Sequence, residues 1–239
     1  MRLRLLTLAL IALAPISLFA EGPNNQLTQE EKAAGWKLLF DGTSINGWRS
    51  VGKPDAPKEG WVAQDGELRL IKKGGVKGGG DIITNEMFTD FELTWDWKIS
   101  PGGNSGVKYN LPNADKNVGC EYQLLDDEKH PDAKLHDGKR ITASLYDVIA
   151  PAADKKLNPA GEWNHSRILV SGNHVEHWLN GGKVVSCDFG SDEMKKLIAE
   201  SKFKGVEGWG VKTKSPILLQ DHGNEVTFRN IKIRVPAAK

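Results

Sequence analysis

The run 91–99 constrains this chain most. Phe91, Leu93, Trp95, Trp97 and Ile99 alternate there with Glu92, Thr94, Asp96 and Lys98. Strict period two puts all five large apolar side chains on one face of a β-strand, whereas a helix would scatter them around its axis. Such a face must be covered by a second layer. Shorter runs with strand character recur at 36–40, 61–64, 67–71, 106–110, 121–125, 165–170, 175–179, 183–186, 209–211, 217–220 and 225–235. Asp65-Gly66, Gly172-Asn173 and Asn180-Gly181 supply residues tolerant of positive φ, as tight hairpins require. In 225–235 the apolar parity shifts between Phe228 and Ile231, which predicts a bulge. Helix signals are few. Thr28 with Glu31 forms a capping box for 26–34, and Ser191 can cap 192–200. The 26 Gly, 11 Pro and 8 Trp fit turns and strands. The expectation is an all-β sandwich or jelly roll of two antiparallel sheets with one or two short helices. It forms a single domain over 36–239, with 21–35 as an N-terminal segment carrying the short helix.

At the N-terminus Arg2 and Arg4 precede the apolar run 5–14, too short to span a bilayer, and Phe19-Ala20 stands just before Glu21-Gly22. This is the pattern of a secretory signal over 1–20, so the mature chain is expected to be exported, periplasmic or secreted, with no membrane segment left. Removing the signal deletes two arginines and no acid, moving the formal charge from +1 to −1. A near-neutral chain with dispersed lysines leaves no footprint for nucleic acid. Cys120 and Cys187 are too few for a cysteine-based zinc site; a disulfide and two buried thiols both remain open. The Gly-rich stretch 72–80 lacks the ending of a phosphate-binding loop.

Strand parity also nominates polar side chains for an open sheet face. Glu121 and Gln123 point together away from Tyr122 and Leu124; Lys108 and Asn110 oppose Val107 and Tyr109; Gln220 and His222 share a side. Amides, carboxylates and cations on one face suit the hydroxyl groups of a sugar. His177 shares parity with Val175 and Leu179, which fits a satisfied core histidine as well as a functional one. No nucleophile elbow occurs. Asp126, Asp127, His130, Asp132 and His136 cluster oxygen and imidazole groups, but their spacing matches no defined metal site.

Eight segments then fall in a recognisable order: 36–48 (WKLLFDGTSINGW), 90–93 (DFEL), 103–106 (GNSG), 121–126 (EYQLLD), 161–164 (GEWN), 175–181 (VEHWLNG), 217–223 (ILLQDHG) and 229–234 (RNIKIR). Together they resemble the bacterial 3-keto-disaccharide hydrolase family, also described as 3-keto-glucoside 1,2-lyase/3-keto-2-hydroxyglucal hydratase. The resemblance implies a concanavalin-like jelly roll and an enzyme that cleaves the glycosidic bond of 3-keto-glucosides or 3-keto-disaccharides. It carries Glu121, Gln123, Arg167, His177, Gln220 and His222 into the family's site, while Lys108 stands where Arg often follows the Asn-Ser-Gly segment. As expectations, Glu121 or His177 acts as base, Lys108 or Arg167 polarises the ketone, and His222 protonates the leaving oxygen; Gln123 and Gln220 hold substrate. No cofactor is required by the residues, and a divalent cation is an alternative Lewis acid. The rival reading is a non-catalytic carbohydrate-binding module. An ordinary glucanase would want a second carboxylate where Gln123 stands.

Overall fold

The computed structural model describes residues 23–71 and 79–236. The signal expected over 1–20 and most of the Gly-rich stretch 72–80 lie outside those residues. The strands are β1 (Trp36–Leu38), β2 (Trp48–Ser50), β3 (Trp61–Gln64), β4 (Glu67–Leu70), β5 (Ile82–Thr84), β6 (Phe91–Ile99), β7 (Asn104–Tyr109), β8 (Cys120–Leu125), β9 (Asn164–Ser171), β10 (His174–Leu179), β11 (Gly182–Asp188), β12 (Leu218–Leu219) and β13 (Val226–Arg234). Helix α1 spans Gln29–Ala33 and α2 spans Asp192–Ala199. Thr28 and Glu31 close the capping box at α1, and Ser191 caps α2.

All strand pairs are antiparallel. The larger sheet runs β11-β10-β9-β6-β13-β4-β3, with β1 also on β13; the smaller runs β2-β5-β12-β7-β8. The jelly-roll expectation therefore holds. β6 sits at the centre of the larger sheet, and its five alternating apolar residues are each at most 3% exposed. Across the sandwich Trp95 packs edge-on against Tyr122 at 5.0 Å, and Phe91 against Tyr109 at 6.1 Å. The predicted bulge in β13 is present, with the register shifting between Arg229 and Lys232 and Asn230 at φ 53°. Asn230 also exchanges two hydrogen bonds with Asn25, whose N–H reaches Asn230 Oδ1 at 2.6 Å while Asn230 N–H reaches Asn25 Oδ1 at 2.9 Å. Asn25 further donates to Gly66 O at 2.7 Å.

Two local expectations change. Residues 209–211 form a turn rather than a strand, because Gly208 and Gly210 take φ of 74° and 72° on either side of Trp209. That tryptophan stacks on Phe203 at 4.5 Å and donates to Gly119 O. β2 and β5 were not expected, since three residues are too few to display alternation. Cys120 and Cys187 are both free thiols. Burial pushes each up, Cys187 to about 12, so neither is a ready nucleophile.

Candidate functional site

Cross-strand register assembles the polar residues on the outer face of the smaller sheet. Lys108 lies opposite Glu121, Gly106 opposite Gln123, and Leu218 opposite Lys108 on the other side. β8 would be the sheet edge, but segment 142–149 continues it: Ala143 N–H donates to Gln123 O, Tyr146 N–H donates to Glu121 O, and Leu145 bridges Tyr122. Leu145 thus faces the core, which turns Tyr146 outward beside Glu121.

Glu121 is 5% exposed and tightly placed. Its Oε2 lies 3.5 Å from Lys108 Nζ, which also donates to Asn117 O at 2.9 Å. Its Oε1 lies against Gly106, where any Cβ would collide with it. The Gln123 amide is best oriented with its nitrogen donating to Ser105 O at 2.9 Å and to Glu121 Oε1 at 3.1 Å; the reverse orientation sets its oxygen against acceptors. The base candidate therefore rests on a bare strand backbone, with one oxygen held by an amide and the other by an ammonium.

Around it stands a second set of charges. Arg140 Nε donates to Asp147 Oδ1 at 2.6 Å, and its Nη1 lies 3.4 Å from Asp132 Oδ1. Tyr146 OH donates to Asp132 Oδ2 at 2.8 Å. Lys202 N–H donates to Asp147 Oδ2 at 2.7 Å, and its ammonium sits 4.1 Å above the Tyr146 ring. Burial, then Asp132, pushes the Tyr146 phenol up, so it stays protonated. Burial would lift the Asp147 carboxyl, but the Lys202 N–H and then Arg140 outweigh it and keep Asp147 ionised. Burial pulls the Lys202 ammonium down, against the pull of Glu121 and Asp147 and with help from Lys108 and Arg140. His136, Asp137, Ala143 and Asp147 hold this wall at φ of 53°, 50°, 68° and 65°. Non-glycine residues in that region are strained, and such strain concentrates at functional sites.

Of the residues expected at the site, Lys108, Glu121 and Gln123 come together here. Gln220 lies opposite Gly106, its N–H bonded to Gly106 O. His222 is exposed at the rim, its ring edge-on to His130 at 6.3 Å. His177 and Arg167 do not join them. His177 is fully buried between Tyr109 and Tyr122; its Nδ1 lies 3.0 Å from Ala143 O and so carries the proton, leaving Nε2 to accept from Tyr109 OH at 2.8 Å. Burial pulls its pKa down to about 4. It is a satisfied core histidine. Arg167 belongs to the larger sheet's outer face, where it pairs with Glu92 at 2.6 Å and covers the Trp178 ring at 4.9 Å. Strand parity is blind to which sheet a strand joins.

The acidic loop does not fit a divalent cation. Asp126 accepts from Gly102, Glu128 and Lys129 N–H groups, and Asp127 is held by Lys155 at 2.6 Å and by Thr142 N–H. Asp132 and His136 belong to the Arg140 and Asp147 network. Among the described residues no three His, Cys, Asp or Glu side chains gather as a metal-holding group.

Fold and site define the class as a jelly roll presenting a charge-balanced, largely desolvated acid–base cluster on its smaller sheet. Residues 35–234 match the model of the 3-keto-alpha-glucoside-1,2-lyase-like domain, and the chain belongs to that family. A 3-keto-disaccharide hydrolase of Bacteroides thetaiotaomicron is 37% identical to it over 232 residues, 85% of this chain and 79% of that protein. Two crystal structures from Parabacteroides distasonis ATCC 8503 are similar. One shares 35% identity with a TM-score of 0.79, covering 90% of this chain and 100% of the other. The second shares 30% with a TM-score of 0.64, covering 84% and 99%.

Proposed function

We propose that this chain cleaves the glycosidic bond of 3-keto-glucosides, disaccharides included, by elimination followed by hydration. The carrying observation is the Glu121 carboxylate seated over Gly106 between the Lys108 ammonium and the Gln123 amide. In a 3-keto sugar the C2 proton is acidic, because the ketone accepts the electron pair as an enolate. Glu121 removes that proton, and the ammoniums of Lys108 and Lys202 stabilise the enolate oxygen. The C1–O bond then breaks with its pair leaving on the oxygen, which takes a proton from His222. Water adds back across the double bond, its hydroxyl to C1 and its proton to C2, so the net change is hydrolysis. One base and a set of cations suffice; the carboxylate pair of ordinary glycoside hydrolysis is unnecessary.

Purified protein incubated with 3-keto-trehalose should release glucose and 3-keto-glucose, and Glu121→Gln should abolish release while sugar still binds. Binding without turnover by the unmodified protein would leave only a carbohydrate-binding module. Export of the mature chain is part of the same proposal, supported by the sequence of 1–20. N-terminal sequencing of the protein from its native host should begin at Glu21 or close to it; an intact Met1 would refute export through this signal.

A further inference from the structure

The outer face of the smaller sheet changes character along its strands. Lys108, Glu121 and Tyr146 make the charged end. One step along come Gln220, Gly106 and Gln123, and β7 begins beyond them at Asn104. Asn104 is 2% exposed and shares parity with Gly106 and Lys108, so it faces the same way. Its Oδ1 has no hydrogen-bond partner, and neither does the buried Oε1 of Gln220. Buried amides left unpaired by the fold are rare, and two on one face mark polar groups that the protein itself does not use.

Imidazoles complete this end. Asp126 N–H bonds Gly103 O and His130 N–H bonds Asp126 O, which ties His130 to the turn before Asn104. Asn104 N–H bonds Asn224 Oδ1 at 3.2 Å, which brings the segment carrying Gln220 and His222 to the same place. His130 Nδ1 accepts from Asp132 N–H, leaving its proton on Nε2. Burial, opposed by Asp132 and aided by His222, keeps the His130 ring neutral. The nearby Asp126 carboxylate is taken up by backbone N–H groups.

We infer that Asn104, Gln220, His130 and His222 form a subsite for a neutral polyhydroxylated ring, the unoxidised second sugar of a 3-keto-disaccharide. The inference rests on the reaction proposed above and adds where its leaving group binds. Hydroxyl groups both donate and accept, which matches two carboxamides beside an imidazole donor. A phosphorylated ligand would want cations in place of these amides.

The test compares 3-keto-trehalose with methyl 3-keto-glucoside, whose leaving group has no ring. Gln220→Met and Asn104→Ala should each raise KM for the disaccharide about tenfold and leave the methyl glucoside within about twofold. Gln220→Met removes the carbonyl from a partly exposed side chain and guards against a folding defect in Asn104→Ala. Equal losses on both substrates, or none on either, would overturn the subsite. Glucose titrated by NMR gives a readout that needs no turnover: the unmodified protein should bind it and both variants should not. Glucose binding lost in the variants, with no 3-keto substrate cleaved by the unmodified protein, would sink the reaction but keep the subsite. Normal cleavage with no glucose binding and no change in the variants would keep the reaction and sink the subsite.

Discussion

The outer faces of the two sheets carry similar residues and do different things with them. On the larger sheet Glu92, Arg167, Glu176, Trp178, Lys183 and Arg234 pair among themselves, although Arg167 Nε makes no aligned hydrogen bond. Glu92 holds both Arg167 and Arg234, while Glu176 holds Lys183 at 3.0 Å and accepts from the Trp178 indole. The ion pairs join adjacent strands, so the face is closed electrostatically without help. On the smaller sheet the same kinds of side chain are flanked by segment 142–149 and the Lys202 turn, and some stay unmatched. Asn104 Oδ1, Gln220 Oε1 and Ser144 Oγ have no partner, and among the described residues no carboxylate lies within ion-pair distance of the Lys202 ammonium. A satisfied polar face is a surface; one left unsatisfied under cover is a place for a ligand.

The sharpest way to break this contrast is to neutralise one charged side chain on each face. Glu121→Gln should lower kcat for a 3-keto-glucoside by about 10³-fold, the scale of a lost general base. Gly106→Ala comes next. Its β-carbon meets the Glu121 carboxylate, so the fold should survive while kcat falls by about 10²-fold, as for a displaced catalytic group. An unchanged kcat would show that the seat on Gly106 is unimportant. The added Glu121→Asp change, which shortens the acid, should recover part of the loss.

The interior between the faces gives a third expectation. An unfolded histidine protonates near 6.5, whereas buried His177 resists protonation down to about 4. As pH falls from 6.5 towards 4 the unfolded chain gains a proton that the folded chain refuses, so stability declines over that window. Urea unfolding at pH 7 and pH 4.5 should show a drop that His177→Gln reduces by on the order of 2 kcal/mol. An identical drop in both proteins would show that His177 titrates normally. The smallest effect is reserved for the larger sheet's face. Arg167→Gln should leave kcat and KM within about twofold and cost about 0.5 kcal/mol in the same unfolding assay, as a partly exposed ion pair does. A large activity loss would return Arg167 to the site.

Alternation in the sequence sufficed for the strands longer than three residues, for their faces, and for three of the groups that meet at the site. It could not assign a sheet to Arg167. For His177 the parity with Val175 and Leu179 already pointed inward, and the attraction of an imidazole for catalysis hid it. Tyr146, Arg140 and Lys202 went unnoticed because they sit in aperiodic chain. Left-handed residues such as Ala143 and Asp147, and bonds from Asp132 and Asp147, hold that chain in place. Gly106 was visible only as part of a motif. Its purpose appears once Glu121 is seen lying across it.

The clasp between Asn25 and Asn230 has a consequence for timing. It joins residues 205 apart in sequence, and β13 fills a central place in the larger sheet, so that sheet cannot close until the last strand has been made. Nascent chain emerging from the ribosome therefore lacks the partner that would lock it.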